Sequence, residues 1–106
     1  MTRAFRITPR AQEDLKNIGR FTLNKWGRGK RNSYLYDFDK RFALLAQNPR
    51  IGKHRPDIED GYYCYLQGSH LIFYTICKDN INIIGLPHQA MDILNYFDDP
   101  YSNGEQ

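Results

Sequence analysis

Two apolar runs near the end of the sequence constrain the fold more than any other feature. His70–Ile76 reads HLIFYTI and Ile81–Leu86 reads INIIGL, with the turn residues Lys78-Asp79-Asn80 between them. Both runs are of strand length and rich in Ile, Phe and Tyr, which pack well on a pleated surface. A third run, Tyr62–Leu66, precedes them across Gln67-Gly68-Ser69. Three strands joined by two tight turns have little choice but an antiparallel meander. Centring the first turn near Gly68 sets Cys64 opposite Ile72, and centring the second on Asp79 sets His70 opposite His88 on one face.

The first half of the chain has a different period. Arg3–Thr8 reads as a short first strand. Thr8-Pro9 is then a helix start, with Thr as N-cap and Pro at the first helical position. Ala11, Leu15, Ile18, Phe21/Thr22 and Lys25 recur at helical spacing, Glu13 and Asp14 lie early in that helix, and Gly27 follows Trp26 as its C-cap. A second helix begins around Gly29–Arg31 and carries Tyr34, Leu35, Phe38, Phe42, Leu45 and Ala46 on one stripe, until Asn48-Pro49 stops it. The short Gly-rich turn makes the two an antiparallel hairpin. Asn48–Asp57 is the longest loop, and residues 88–97 form a short helix or an extended segment. The order β-α-α-β-β-β predicts an α+β fold: an N-terminal strand and an antiparallel helical hairpin packed on a small antiparallel sheet. Residues 1–97 are expected to be a single domain and 98–106, which are polar with Gly and Pro, a frayed tail.

A chain of 106 residues is sized for one domain. It holds no apolar run of the ~18 residues a membrane span needs. Met1-Thr2-Arg3 leads into a strand-like segment rather than a secretory leader, so a cytoplasmic location is expected. Cys64 and Cys77 fall on opposite faces in the expected register and read as reduced thiols; no His/Cys spacing suits a metal, and neither metal nor cofactor is expected. The net charge of +3 is unevenly spread. Residues 1–60 hold 14 Lys/Arg against 7 Asp/Glu, a net +7, whereas residues 61–106 hold one against five, a net −4. A basic helical half suits an acidic protein partner or nucleic acid, and is also what the solvated faces of two amphipathic helices look like.

Several segments in this order carry a resemblance. They are Ala11…Asp14-Leu15…Ile18…Phe21-Thr22…Trp26-Gly27, Tyr34…Phe38…Phe42…Leu45-Ala46…Pro49…Gly52, Gly61-Tyr62…Gly68-Ser69-His70-Leu71-Ile72-Phe73-Tyr74 and His88-Gln89…Met91-Asp92. From about Phe5 to Asp92 the chain resembles the RelE/ParE superfamily of toxins from type II toxin–antitoxin modules, and within it the ParE branch. The resemblance implies a growth-inhibiting toxin neutralised by a co-expressed antitoxin. ParE-type toxins act on DNA gyrase and trap it on DNA; RelE-type relatives cleave mRNA on the ribosome.

Chemistry separates the two. RNA cleavage needs a base for the ribose 2′-OH, an acid for the leaving oxygen, and cations for the developing phosphorane charge. Between Gly61 and His88, Lys78 is the only Lys or Arg, and it lies in a turn. Tyr63 and Gly85 stand where many relatives carry Arg. If the chain were a nuclease, the residues left for the work would be His88, Arg55 and Tyr74, with Lys53 and His54 nearby. Gyrase inhibition by binding is therefore the favoured expectation, with no catalytic residues. The target-binding candidates are Lys53, Arg55, His88, Met91 and Asp92, together with the Tyr96-Phe97 segment. Direct sequence-specific nucleic-acid binding is not expected. An acidic, apolar antitoxin that folds on binding suits the basic, aromatic helices, with Arg20, Trp26, Arg31 and Tyr34 as its candidate contacts. The ribosome-dependent nuclease is one alternative. An inactive relative retaining only antitoxin binding is another, suggested by Gly85 and by Pro87, which cannot donate to a ladder and must sit at a strand end or unpaired edge.

Overall fold

In the computed structural model, which describes residues 4–98, the elements run β1 (Ala4–Ile7), α1 (Pro9–Trp26), α2 (Arg28–Gln47), β2 (Lys53–His54), β3 (Tyr62–Gln67), β4 (His70–Ile76), β5 (Asn80–Gly85) and α3 (Ile93–Phe97). The expected frayed tail falls, apart from Asp98, outside the described residues. The Thr8 hydroxyl accepts from Ala11 N, capping α1 as its sequence predicts. Gly27 ends α1 at φ +94°, a conformation that L side chains rarely adopt. It donates its N–H to Leu23 O and accepts from Arg31 N with its carbonyl. One glycine thus closes α1 and opens α2, so α2 begins at Arg28, ahead of the Gly29–Arg31 expected.

The strands order as β1-β5-β4-β3-β2 in one sheet. The meander β3-β4-β5 is antiparallel, but β1 pairs with β5 in parallel, Phe5 beside Ile81 and Ile7 beside Ile83. The sheet is therefore mixed rather than wholly antiparallel. A chain that leaves β1 into a hairpin and re-enters through a three-strand meander arrives in β5 running the same way as β1. The two-residue β2 within the long loop pairs with β3, His54 beside Tyr63, and extends the sheet by one short edge.

Both turns are tighter than the sequence suggested. Gln67 pairs with His70, leaving Gly68-Ser69 as a two-residue turn with Gly68 at φ +61°, as a II′ hairpin requires. Cys64 therefore faces Phe73, not Ile72. Both Cys64 and Cys77 are free thiols. Across the second turn Ile76 pairs with Ile81 and Tyr74 with Ile83, then a bulge shifts the register so that Phe73 meets Gly85 and His70 meets His88. The histidine pair is as expected, but the bulge, with Ile84 as the extra residue on β5, produces it.

The core lies between the helical hairpin and one sheet face. Ala11 and Ile18 of α1 and Phe38, Phe42, Leu45 and Ala46 of α2 pack on Ile72, Tyr74, Ile81, Ile83 and Leu86. Phe5 meets the Phe42 ring edge-on at 5.5 Å. Phe42→Ala is expected to cost about 3–5 kcal/mol in urea denaturation. Phe21→Ala, at a side chain 62% exposed, should stay within about 0.5 kcal/mol.

Candidate functional site

On the sheet face turned away from the hairpin, Phe73 is fully buried although no helix of the hairpin covers it. The cover is α3. Asp92 caps α3 by accepting from Asn95 N, and Phe97 packs edge-on against Phe73 at 5.0 Å and Tyr62 at 5.1 Å. Two α1 side chains hold α3 in place. Arg10 donates to Tyr96 O at 2.9 Å and lies over the Tyr96 ring, 4.6 Å from its centroid. Asp14 accepts from Leu86 N at 2.9 Å and from the Tyr96 hydroxyl. Burial, then the Asp14 carboxylate, push the Tyr96 hydroxyl well above the usual tyrosine range, which keeps its proton on the bond to Asp14.

Gly85 explains why a helix can lie there. A Cβ at this position would meet the Tyr96 hydroxyl and ring. The place at which the resemblance implies an arginine is filled by Tyr96, and Gly85 is what makes room for it. The Arg10–Asp14–Tyr96 cluster escaped sequence reasoning because Arg10 and Asp14 read as ordinary polar positions of an amphipathic helix. An arginine in the first turn of α1, against the helix dipole, was the one available signal.

Tyr63, the other position short of a cation, lies between two rings. It stacks on His54 at 4.8 Å and on Tyr74 at 5.8 Å, and its hydroxyl accepts from Arg50 at 3.1 Å. Tyr74 is fully buried; its hydroxyl donates to Pro49 O at 2.7 Å and accepts from Gly52 N at 3.0 Å. Burial pushes it up to about 12. It pins the loop to the core and has no free role as an acid or base. Arg55 makes a two-atom ion pair with Asp57, at 2.9 Å for its Nη2, and its guanidinium reaches the Cys64 sulfur at 4.0 Å. The hydrogen bond from Arg55 to Asp57 raises Arg55 and lowers Asp57 from their ordinary values. Arg55, a candidate phosphate partner and target contact in the sequence, is thus paired with Asp57.

His88 is exposed, and its Nδ1 accepts from Ala90 N at 3.0 Å, which positions the segment after β5. The three residues that a nuclease would require stand in three separate contact sets: Tyr74 under the loop, Arg55 with Asp57, and His88 beside His70. Among the target-binding candidates Lys53 is exposed on β2, Met91 is 47% exposed and so outside the core, and Asp92 is the α3 cap.

A cleft of about 380 Å³ opens between the hairpin and the β3–β4 turn, lined by Phe21, Trp26, Lys30, Tyr34, His70 and His88 among others. Trp26 and Tyr34 converge in it as antitoxin-contact candidates. Arg20 and Arg31 do not line it; they bond to Asn17 and Asn32. Phe21 was missed as a wall residue because it fits the helical period of α1, and its exposure is a tertiary fact. Among the described residues no group of three or more His, Cys, Asp or Glu could hold a metal, and no helix is long and apolar enough to cross a membrane.

Comparison with known proteins agrees with this architecture. The family described as "ParE toxin of type II toxin-antitoxin system, parDE" matches residues 5–93. The chain belongs to the ParE toxin family. A Toxin ParE1 of Mycobacterium tuberculosis is 32% identical over 94 residues, spanning 88% of this chain and 96% of the relative. A Toxin ParE1 of Caulobacter vibrioides is 27% identical over 88 residues, spanning 83% and 91%. A solved chain of the chromosomal ParDE toxin–antitoxin system from P. aeruginosa superposes with a TM-score of 0.71 at 18% identity, covering 82% of this chain and 96% of its own, and so shares the fold. This ParE-family member is thus a type II toxin by family, with an α3 seat on the second sheet face.

Two outcomes test that geometry. Gly85→Ala should destabilise the protein markedly, and less so in a Tyr96→Ala background. The double-mutant cycle in urea is expected to give a coupling of about 1 kcal/mol or more. Because Tyr74 ionises in the unfolded chain near its ordinary value of 10.0 and in the folded chain only at about 12, the folded state holds more protons in between. Stability should therefore fall as pH rises through that window, and Tyr74→Phe should reduce the fall in a pH series of denaturation midpoints without abolishing it, because Tyr96 is raised as well.

Proposed function

We propose that this chain inhibits DNA gyrase by binding it, without bond-breaking chemistry of its own, and that a cognate antitoxin neutralises it. The observation that carries this reading is the seat of Tyr96 on Gly85. A nuclease of the related kind needs cations on the sheet to hold phosphorane charge. Here α3 fills one such position and a stacked tyrosine fills the other, while Arg55 is tied to Asp57. The surface left for a target is recognition surface: Lys53 on β2 and the exposed His88–Asp92 segment. The antitoxin reading is supported by family membership and by an open cleft with aromatic walls at the basic end of the hairpin.

Purified protein added to a gyrase supercoiling reaction should block supercoiling and accumulate cleaved DNA complexes. Full supercoiling at an excess of folded protein would overturn the gyrase reading. So would ribosome-dependent mRNA cuts that vanish in His88→Ala. The antitoxin is expected as the product of a small adjacent reading frame that co-purifies with this chain.

A further inference from the structure

We infer that the cleft between α1, α2 and the β3–β4 turn is a socket for an acidic, aromatic- or leucine-bearing segment of the antitoxin, with His70 and His88 receiving a carboxylate. The inference rests on the antitoxin reading above and names what that partner must present.

The walls are apolar and left open to solvent. Phe21 and Trp26 are 62% and 61% exposed, and the Lys25 ammonium lies 5.6 Å from each ring centroid. Two exposed aromatic side chains five residues apart, both lining a concave surface, suit insertion of an apolar side chain. The surrounding charge selects the partner. From Leu15 to Tyr36 the sequence carries Lys16, Arg20, Lys25, Arg28, Lys30 and Arg31 and no acid. Lys30 lines the cleft itself, and Asp37 is the acid among the lining residues.

The floor is built of donors. His88 Nδ1 accepts from Ala90 N, so the neutral ring carries its proton on Nε2. Tyr34 OH accepts from Ser69 N and lies 3.0 Å from His70 Nδ1; among the described residues its own proton has no other acceptor, so it goes to His70. His70 too then carries its proton on Nε2. The rings stand 5.3 Å apart, paired across β4 and the segment after β5. Two N–H donors in a cleft that Lys30 also lines match an acceptor-only group such as Glu or Asp.

The same pair makes the socket respond to pH. The groups facing it are Tyr34, Lys30 and Asp37 from α2, Asp14 from α1, and the histidines themselves. Burial, then His88, hold His70 below its ordinary value, while Asp14 draws it up. A bound carboxylate favours protonated imidazole, so the complex takes up protons and tightens as pH falls through the histidine range. The partner's own carboxylates remain ionised there.

Trp26 is the single tryptophan of the chain, so its emission reports occupancy. The full-length protein is titrated with a Trp-free amphipathic peptide of Glu, Leu and Phe, and with its Glu→Gln counterpart. The Glu peptide should shift Trp26 emission saturably and bind about fivefold tighter near pH 6 than near pH 8. The Gln peptide should bind at least about tenfold more weakly with little pH response. His88→Gln, which removes one of the two rings that receive the carboxylate, should weaken the Glu peptide at both pH values and lose most of the gain at pH 6. Lys30→Gln should weaken only the Glu peptide. Absence of binding, equal binding of both peptides, or an unchanged pH response in both His88→Gln and His70→Gln overturns the socket. An antitoxin that co-purifies while the peptide fails leaves the antitoxin reading standing and the socket refuted. A peptide that binds as described with no co-purifying partner does the reverse.

Discussion

The bulge between Phe73 and Tyr74 is the constraint on which both candidate surfaces depend. An unbulged ladder continuing from Tyr74–Ile83 would set His70 against Pro87 and turn His88 to the other face. It would also bring Gly85 to the hairpin side. With Ile84 as the extra residue, Leu86 joins the core, Gly85 lies opposite Phe73 on the second face, and His88 meets His70 on the first. One inserted residue therefore builds the floor of the cleft and clears the seat of α3 at once.

That seat changes what the sheet can do. Asp14 bridges the end of β5 and α3 through Leu86 N and the Tyr96 hydroxyl, and Arg10 clamps the Tyr96 carbonyl and ring. A half-buried carboxylate accepting two hydrogen bonds is a local tether, and its loss would leave the buried Leu86 N–H unpaired. Phe97 then covers Phe73, and a face that could have carried cations for phosphate chemistry becomes a packed aromatic layer. The long loop is similarly committed: Tyr74 holds its backbone from below, and Arg55 is spent on Asp57.

The other surface is left unfilled. The basic end of the hairpin presents aromatic rings to solvent above a histidine pair, the arrangement on which the proposed acidic partner rests. The uneven charge of the chain has a counterpart there: Lys30 lines the cleft and Lys25 lies by its Phe21 and Trp26 rings, while the sheet half is mildly acidic.

Local pattern determined most of the architecture. The Thr8-Pro9 helix start, the Gly27 boundary, the aromatic stripe of α2 and the three meander strands all follow from period, caps and turn residues, which act over a few neighbours. The absence of cations at Tyr63 and Gly85 was also legible, because a missing side-chain type needs no coordinates. Tertiary structure alone decided the parallel β1–β5 pair, the bulge, and the convergence of Phe21, Trp26, Tyr34, His70 and His88. Each of these joins residues far apart in the chain, and its register is set by packing across the core rather than by local preference. The role of Gly85 shows the division most clearly: the sequence supplied the lack of a side chain, and the fold supplied the tyrosine that occupies its place.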